Sequence, residues 1–531
     1  MVNTRHFHLF VAAIGCIAAI FILIATNDGL ILSHDSVAYI AVVRSLLEGH
    51  GLVIPYGYAH PIPLTHWPPL YPLVLALFSA VTGTVTGAAR WLTVILFVLN
   101  TVMVGSLARK YGGSAAAGYA AACLFAFSRE MWQLHDMLMA EPLFFLLILL
   151  FVYFLDEYLL TGKFALLLVS ATLVGLSQVT RYAGLPFVAW GAIVVFVARR
   201  NPMRARVEAI VWALVAIAPM VLLTAWKRFQ PYKVPEPALS WHMPPPEFWT
   251  QFLVGTGNAF VPEGLPGRRW VMTAVCVLFV PFCVGYLWRN SGFSEIRTKY
   301  LVALITFNAA FLLGVGLFVY ANLDVQRAAA PISILLIILV SSCGARLLRR
   351  PAIVAAVCAA ILVPKLPSLY WWVDESARHG GGLIGPSVVR SETIAYIRQL
   401  PPGLVIYTNL PEPVYMLTGR NARFVPFAAS PNTGAPLSAR ETESQLDEIK
   451  QQVRLGSVVA VYFSNDPVRL PWMITGPALA AHCGFTRVIE FEDATIYLAG
   501  LSNAGRELSA QLAAAGPPAV RLRGYKGQMP I

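Results

Sequence analysis

Apolar residues in this chain come in long runs rather than in stripes. The first covers about 9–26, and others follow near 88–108, 113–128, 141–160, 164–179, 184–198, 207–225, 270–288, 300–320, 328–347 and 351–369. Most approach the roughly 20 apolar residues that a helix needs to cross the bilayer hydrocarbon. The first run, after Arg5, His6 and His8, has the length and positive flank of a signal peptide. No small-residue cleavage site follows it, so it reads as an anchor. Residues 69–83 are also apolar, but they are short and open with Pro68-Pro69 and Pro72, which suits a shallow, re-entrant or interfacial segment.

Composition agrees with the pattern. Of the 531 residues, 57% are hydrophobic and 12% are charged, about half the charged share of an average soluble domain. That excludes a disordered chain and an ordinary cytosolic enzyme as whole-chain readings. The net charge of +12 has no interleaved basic–aromatic patch of the nucleic-acid kind, and it reads as topology signal and lipid-phosphate contact. The seven cysteines include no CxxC pair, and all but Cys483 lie in apolar segments, so neither a zinc ribbon nor a disulfide framework is supported.

Basic clusters orient the runs. With the N-terminus in the cytoplasm and 69–83 not crossing, Arg109-Lys110, Lys163, Arg199-Arg200 with Arg204 and Arg206, Arg289 with Arg297 and Lys299, and Arg346 with Arg349-Arg350 all face inward. This predicts a polytopic α-helical membrane protein with about eleven crossings plus interfacial helices. Residues 1–369 form the transmembrane domain, and 370–531 a soluble extracytoplasmic α/β domain. The outer loops 27–68 and 226–269 are long, and the second is rich in Pro and Trp. In the tail, Ser391–Leu400 reads as helix, 403–408 as a strand, Pro413–Leu417 as a short helix and 439–454 as a charged helix. Strands follow at Ser457–Phe463 and about 487–498, and the end after 502 reads as loose.

Candidate chemistry gathers on the outer side. Asp35, in Ser33-His34-Asp35-Ser36, follows the first run, where a carboxylate can deprotonate a hydroxyl acceptor; it equally suits the cap of a helix starting at Ser36. His135-Asp136 and Glu141-Pro142 share that side, with dipole complementation or a solvated loop charge as the plainer readings. Arg181, in Thr180-Arg181-Tyr182, and Arg327, between Asp324 and Pro331, break the positive-inside trend. Each either snorkels to headgroups or grips a phosphate through the guanidinium fork. His60 and His66 are weak candidates for a divalent metal, since their spacing matches no zinc pattern.

His34-Asp35-Ser36-Val37-Ala38-Tyr39 followed by Leu46-Leu47-Glu48-Gly49-His50-Gly51 resembles the first-loop motif of C-type membrane glycosyltransferases. The branch most similar holds the protein O-mannosyltransferases and lipid A aminoarabinose transferases. Pro68-Pro69-Leu70-Tyr71-Pro72, Ala140-Glu141-Pro142-Leu143, Thr180-Arg181-Tyr182, and Arg327 with Pro331 recur in the order of that family, from about residue 10 to 350. The resemblance implies transfer of a sugar from a polyprenyl-phosphate donor to a lipid, glycan or protein, with inversion, at the outer face of a bacterial inner membrane. It casts Asp35 as base, Arg327 and then Arg181 as phosphate clamp, and Asp136 and Glu141 as orienting groups. Tyr39, Tyr182 and His66 join the substrate-binding set. Two departures stand out: His34 and Ser36 flank Asp35 where many relatives carry a second acid, and His66 stands where relatives place an acidic residue. A metal role is therefore altered or absent. The competing reading is a transporter or flippase of lipid-linked sugars, although the ionisable groups sit near one surface rather than the midplane and no internal repeat is evident.

The alternation of basic clusters makes a direct prediction. A reporter that fluoresces only in the cytoplasm, fused after Ile531, stays dark; a bright fusion overturns the shared outer face of Asp35 and Arg327.

Overall fold

The computed structural model describes residues 3–197, 202–230, 241, 243–262, 265–275, 278, 280–290, 295–318, 324–429, 436–464 and 470–499. The chain divides into two compact units. The first holds residues 1–55 and 60–386, the second Tyr56–Ala59 and 387–531.

The first unit is helical. Its elements are α1 (Thr4–Ala25), α2 (His34–Leu47), the small antiparallel pair β1 (Val53–Ile54) and β2 (Ile62–Pro63), α3 (Leu70–Thr82), α4 (Val85–Gly112), α5 (Ala115–Ala126), α6 (Arg129–Asp136), α7 (Glu141–Thr161), α8 (Phe164–Gln178) and α9 (Leu185–Val197). These are followed by α10 (Pro202–Arg228), α11 (Pro246–Gly257), α12 (Arg268–Ala274), α13 (Val280–Asn290), α14 (Glu295–Phe318), α15 (Val325–Leu348), α16 (Pro351–Leu362) and α17 (Leu366–His379). Among the described residues, seven helical stretches are long and apolar enough to span a membrane, and four apolar helices are shorter. The protein is an integral membrane protein. The expected run at 270–288 is described as α12 and α13 with the π-helical residues Val275 and Leu278 between them, and residues 276, 277 and 279 lie outside the described set.

Close packing is achieved with small residues, as expected where lipid and side chains are equally apolar. A Cβ on Gly118 of α5 would lie 2.5 Å from the Phe7 ring of α1 and 2.7 Å from the Gly105 carbonyl of α4. Gly191 of α9 gives way to the fully buried Trp212 of α10, whose indole N–H donates to Ser170 Oγ of α8 at 3.0 Å. At the centre runs α15, buried over most of its length. It continues unbroken through Pro331 rather than breaking there. The missing proline N–H leaves the Arg327 carbonyl without its helical donor.

The second unit is α/β. After one turn at Pro386–Val389 (α18) come α19 (Glu392–Gln399), β3 (Val405–Thr408), α20 (Pro411–Thr418), β4 (Ala422–Phe424), α21 (Ala439–Arg454), β5 (Val458–Phe463), α22 (Gly476–Cys483), β6 (Arg487–Glu490) and β7 (Ala494–Leu498). The strands form one mixed sheet in the order β4-β3-β5-β7-β6, with β3 parallel to β4 and β5, and β7 antiparallel to β5 and β6. β5 is buried at every position, as a strand covered on both faces must be. The sequence reading missed β4 and α22, both short, and the expected loose end lies outside the described residues. The expected boundary at 369 also moves. α17 is amphipathic, buries Leu369, Val373 and Ser376, and stays with the helical unit, so the division falls at Pro386.

Gly118→Val places a branched side chain against Phe7 and the Gly105 carbonyl. Overpacking of this kind costs about 1–3 kcal/mol, and the expected readout is a lower melting temperature in detergent than for wild type.

Candidate functional site

Asp35 is not a helix cap. α2 begins one residue before it, and Ser33 is the N-cap, in a reciprocal box. Ser36 N–H donates to Ser33 Oγ at 3.3 Å, and Ser33 N–H donates to Ser36 Oγ at 2.9 Å. The helix start is satisfied without the carboxylate. The backbone just ahead is held on both sides. Ile31 N–H donates to the Asp136 carbonyl (3.0 Å), Leu138 N–H to the Ile31 carbonyl (3.2 Å), and Leu383 N–H to the Leu32 carbonyl (2.9 Å). Asp35 is thus a spare carboxylate on a fixed first turn.

Its partners come from distant chain segments. Trp67 Nε1–H donates to Asp35 Oδ1 at 3.1 Å, and Arg327 Nη2–H donates to Oδ2 at 2.8 Å. Arg327 Nε also lies 2.5 Å from Glu141 Oε1, a charge contact rather than a directed hydrogen bond, since that Nε has no geometrically sound acceptor. Arg181 Nη1–H donates to the same Glu141 oxygen at 2.6 Å. Glu141, 1% exposed, opens α7 ahead of Pro142, where its charge also suits the helix dipole. Arg327 sits in the first turn of α15, where Asp324 accepts its backbone N–H at 3.1 Å. A cation is electrostatically misplaced at a helix N-terminus; the two carboxylates offset that. Burial alone would push the Asp35 carboxyl up. The Arg327 charge and hydrogen bond, with Arg181 and the Trp67 donor, outweigh burial and hold it below the usual carboxylate range. Burial, and then the Asp35 charge, push the Tyr39 phenol well above its ordinary value, so it stays a donor.

These groups line one cavity of about 1110 Å³. Asp35, Glu141, Arg181, Arg327, Tyr39, Tyr182 and His66 all reach it, so most residues singled out in the sequence converge. Much of the remaining lining is apolar, with Phe144, Phe145, Leu223, Phe311, Leu312 and Ile332 among its residues. The sequence reading missed Lys227 and Arg228 at the end of α10, and Trp67. Lys227 Nζ–H donates to Tyr182 Oη at 2.6 Å, and Nζ lies 4.9 Å from the Tyr182 ring centroid. The signal was available: this basic pair ends an apolar run on the side where the charge rule disfavours cations. Trp67 lies between His66 and the Pro68-Pro69 pair, but its Asp35 contact is tertiary.

Asp136 and His60 do not join. Asp136 is 1% exposed and is not among the cavity-lining residues; its Oδ2 accepts from Trp372 Nε1–H of α17 at 2.6 Å. Burial pushes its carboxyl well up, only partly offset by Trp372, and the residue serves the site through its backbone carbonyl on Ile31. His60 is exposed and does not line the cavity. Among the described residues no three His, Cys, Asp or Glu side chains gather to hold a metal. The donor set does not fit one either, since both cavity carboxylates already face guanidinium groups that would repel a divalent cation.

No protein-family model and no curated protein sequence matches the chain. Solved structures do. ArnT from Cupriavidus metallidurans bound to undecaprenyl phosphate aligns over 94% of this chain and 99% of its own, with 12% identity and a TM-score of 0.60. The archaeal oligosaccharyltransferase AglB from Archaeoglobus fulgidus, in complex with an inhibitory peptide and a dolichol-phosphate, aligns over 87% and 70%, with 11% identity and a TM-score of 0.54. An Archaeoglobus fulgidus oligosaccharyltransferase in complex with Zn and sulfate aligns over 92% and 73%, with 13% identity and a TM-score of 0.54. The chain therefore has the fold of the C-type membrane glycosyltransferases.

Glu141→Gln removes the charge shared by two guanidinium groups. Losing one partner of a buried pair costs at most about 3–5 kcal/mol. The expected outcome is a clear drop in melting temperature in detergent, larger than for Asp136→Asn, whose Trp372 hydrogen bond survives.

Proposed function

We propose that this protein transfers a sugar from a polyprenyl-phosphate donor to a hydroxyl-bearing lipid, glycan or protein at the outer face of a bacterial inner membrane. The observation that carries this reading is the single cavity whose lining joins the ion-paired cluster of Asp35, Glu141, Arg181 and Arg327 to a large apolar share. An amphiphile with a phosphate head and a prenyl tail has that same division. The undecaprenyl phosphate and dolichol-phosphate on the two similar structures are ligands of this class.

The acceptor oxygen attacks the anomeric carbon, its proton passes to Asp35, and the bond from that carbon to the phosphate oxygen breaks with inversion. The leaving phosphate gains charge, which Arg327, Arg181 and Lys227 stabilise most strongly as the bond opens. Glu141 holds the two arginines in place, and Tyr39, Tyr182 and His66 bind substrate. Burial, aided by Lys227 and opposed by Asp35, lowers the His66 imidazole's basicity, so it acts as a neutral hydrogen-bonding group. In the unliganded site Asp35 is a weak base because Arg327 neutralises it. Donor phosphate competes for that guanidinium, and the released carboxylate becomes a stronger base. The base is thus switched on by the donor.

Purified protein in detergent, given polyprenyl-phosphate sugars and hydroxyl acceptors, should release polyprenyl phosphate and form a glycoside. A transporter does neither without a sealed membrane. Asp35→Asn should fold and lose about 10²–10⁴-fold in rate. Arg327→Lys should lower kcat more than it raises the donor KM, because lysine lacks the two-pronged fork. Since a depressed carboxylate is ionised throughout neutral pH, wild-type kcat/KM should show no loss from Asp35 until pH falls below about 4. In Arg327→Ala the main offset to burial is lost, and that acid limb should move up. Wild-type turnover in Asp35→Asn refutes the assignment of the base.

A further inference from the structure

The first outer loop does not belong wholly to the helical unit. The chain leaves that unit after Pro55, contributes Tyr56–Ala59 to the C-terminal unit, and re-enters at His60. Within the C-terminal unit these residues extend the sheet. β4 is its edge strand, and an edge presents unpaired N–H and C=O groups that accept an added strand. Gly57 lies opposite Arg423 in parallel. Its N–H donates to the Ala422 carbonyl at 2.8 Å, and Phe424 N–H donates to the Gly57 carbonyl at 2.9 Å.

Side chains reinforce the pairing. The Tyr56 ring stacks on Tyr415 of α20, with centroids 5.1 Å apart and planes at 28°. Tyr58 meets Phe424 edge-on at 5.8 Å, and the Asn421 side-chain amide donates to the Tyr58 carbonyl at 3.2 Å. Gly57 has φ +87°, and a Cβ there would lie 2.8 Å from the Phe424 ring. Two independent features therefore demand glycine at this position.

The same four residues form the tip of a hairpin whose arms pair antiparallel as β1 and β2. One arm runs back to α2, which carries Asp35; the other runs forward to Thr65, His66 and Trp67 in the cavity wall. We propose that the C-terminal unit is a positioning domain for this loop: by taking Tyr56–Ala59 as a sixth strand, it restricts both arms and so sets Trp67 against Asp35. The consequence for turnover rests on the reading of Asp35 as base; the strand addition does not.

Hydrogen–deuterium exchange on the full-length protein in detergent tests it. The amides of Gly57 and Phe424 should be protected in wild type. Gly57→Val should raise exchange across 52–67 and at 34–38 as well as at 422–424. Because small misplacements of reacting groups are costly, kcat should fall by up to about 10²-fold, with a much smaller change in donor KM. Tyr415→Ala should act in the same direction more weakly, and Tyr415→Phe, which keeps the stacked ring, should restore both readouts. The proposal is overturned if the wild-type amides exchange freely, or if exchange in Gly57→Val rises at 56–59 but not at 34–38 and 64–67. It is likewise overturned if the released loop turns over at the wild-type rate. Absence of sugar transfer in wild type would instead sink the proposed function and leave the exchange results to decide the strand.

Discussion

One guanidinium holds the cavity together. Arg327 stands between Asp35 of α2 and Glu141 of α7, and Glu141 in turn holds Arg181. These four groups come from separate segments of chain, three of them helical, and each alone would be poorly placed. Arg327 opposes the dipole of its own helix, and Glu141 is a carboxylate with almost no exposure. Together they neutralise one another, and each holds the others in one geometry. Buried ion pairs of this kind are weak evidence for net stability but strong constraints on arrangement. Here the arrangement leaves two carboxylates and two guanidinium groups lining a large cavity instead of being spent on the core.

The rest of the cavity follows from the environment of such a network. Its lining carries four cations, Arg181, Lys227, Arg228 and Arg327, against two carboxylates, Asp35 and Glu141. The excess of positive charge suits an anionic head, while the phenylalanine and leucine wall suits a chain that stays in the bilayer. In the proposed reaction the carboxylates would keep the cations fixed until an anion arrives, so that the site need not reorganise when charge develops. The capping box at Ser33 and Ser36 matters for the same reason: by satisfying the helix start it leaves Asp35 free for another partner.

The helical scaffold explains how a fold persists at 11–13% identity with its structural neighbours. Close approach depends on small residues at a few crossings, such as Gly105 with Gly118 and Gly191 beneath Trp212. Elsewhere any apolar side chain of suitable volume serves, because lipid and protein interior have similar polarity. Sequence identity can drift while helix positions stay.

Much was legible in the sequence because it is local. A run of apolar residues declares a membrane helix by itself, and a basic cluster at its end declares a preferred side. The same rule marks Arg181 and Arg327 as cations that need partners. The acidic residues were legible as candidates, but not as a set. Asp35 and Asp136 sit in similar His-Asp dipeptides, and only tertiary packing sends one into the cavity and the other beneath Trp372. Asp35 meets Arg327 across 292 positions of chain, and Lys227 and Trp67 acquire meaning only from what faces them. The recruitment of Tyr56–Ala59 into the C-terminal unit was likewise invisible, since an edge strand takes its partner by backbone hydrogen bonds that carry little sequence signal. Helix, side and charge are properties of short segments, whereas partnership is decided where segments remote in sequence pack together.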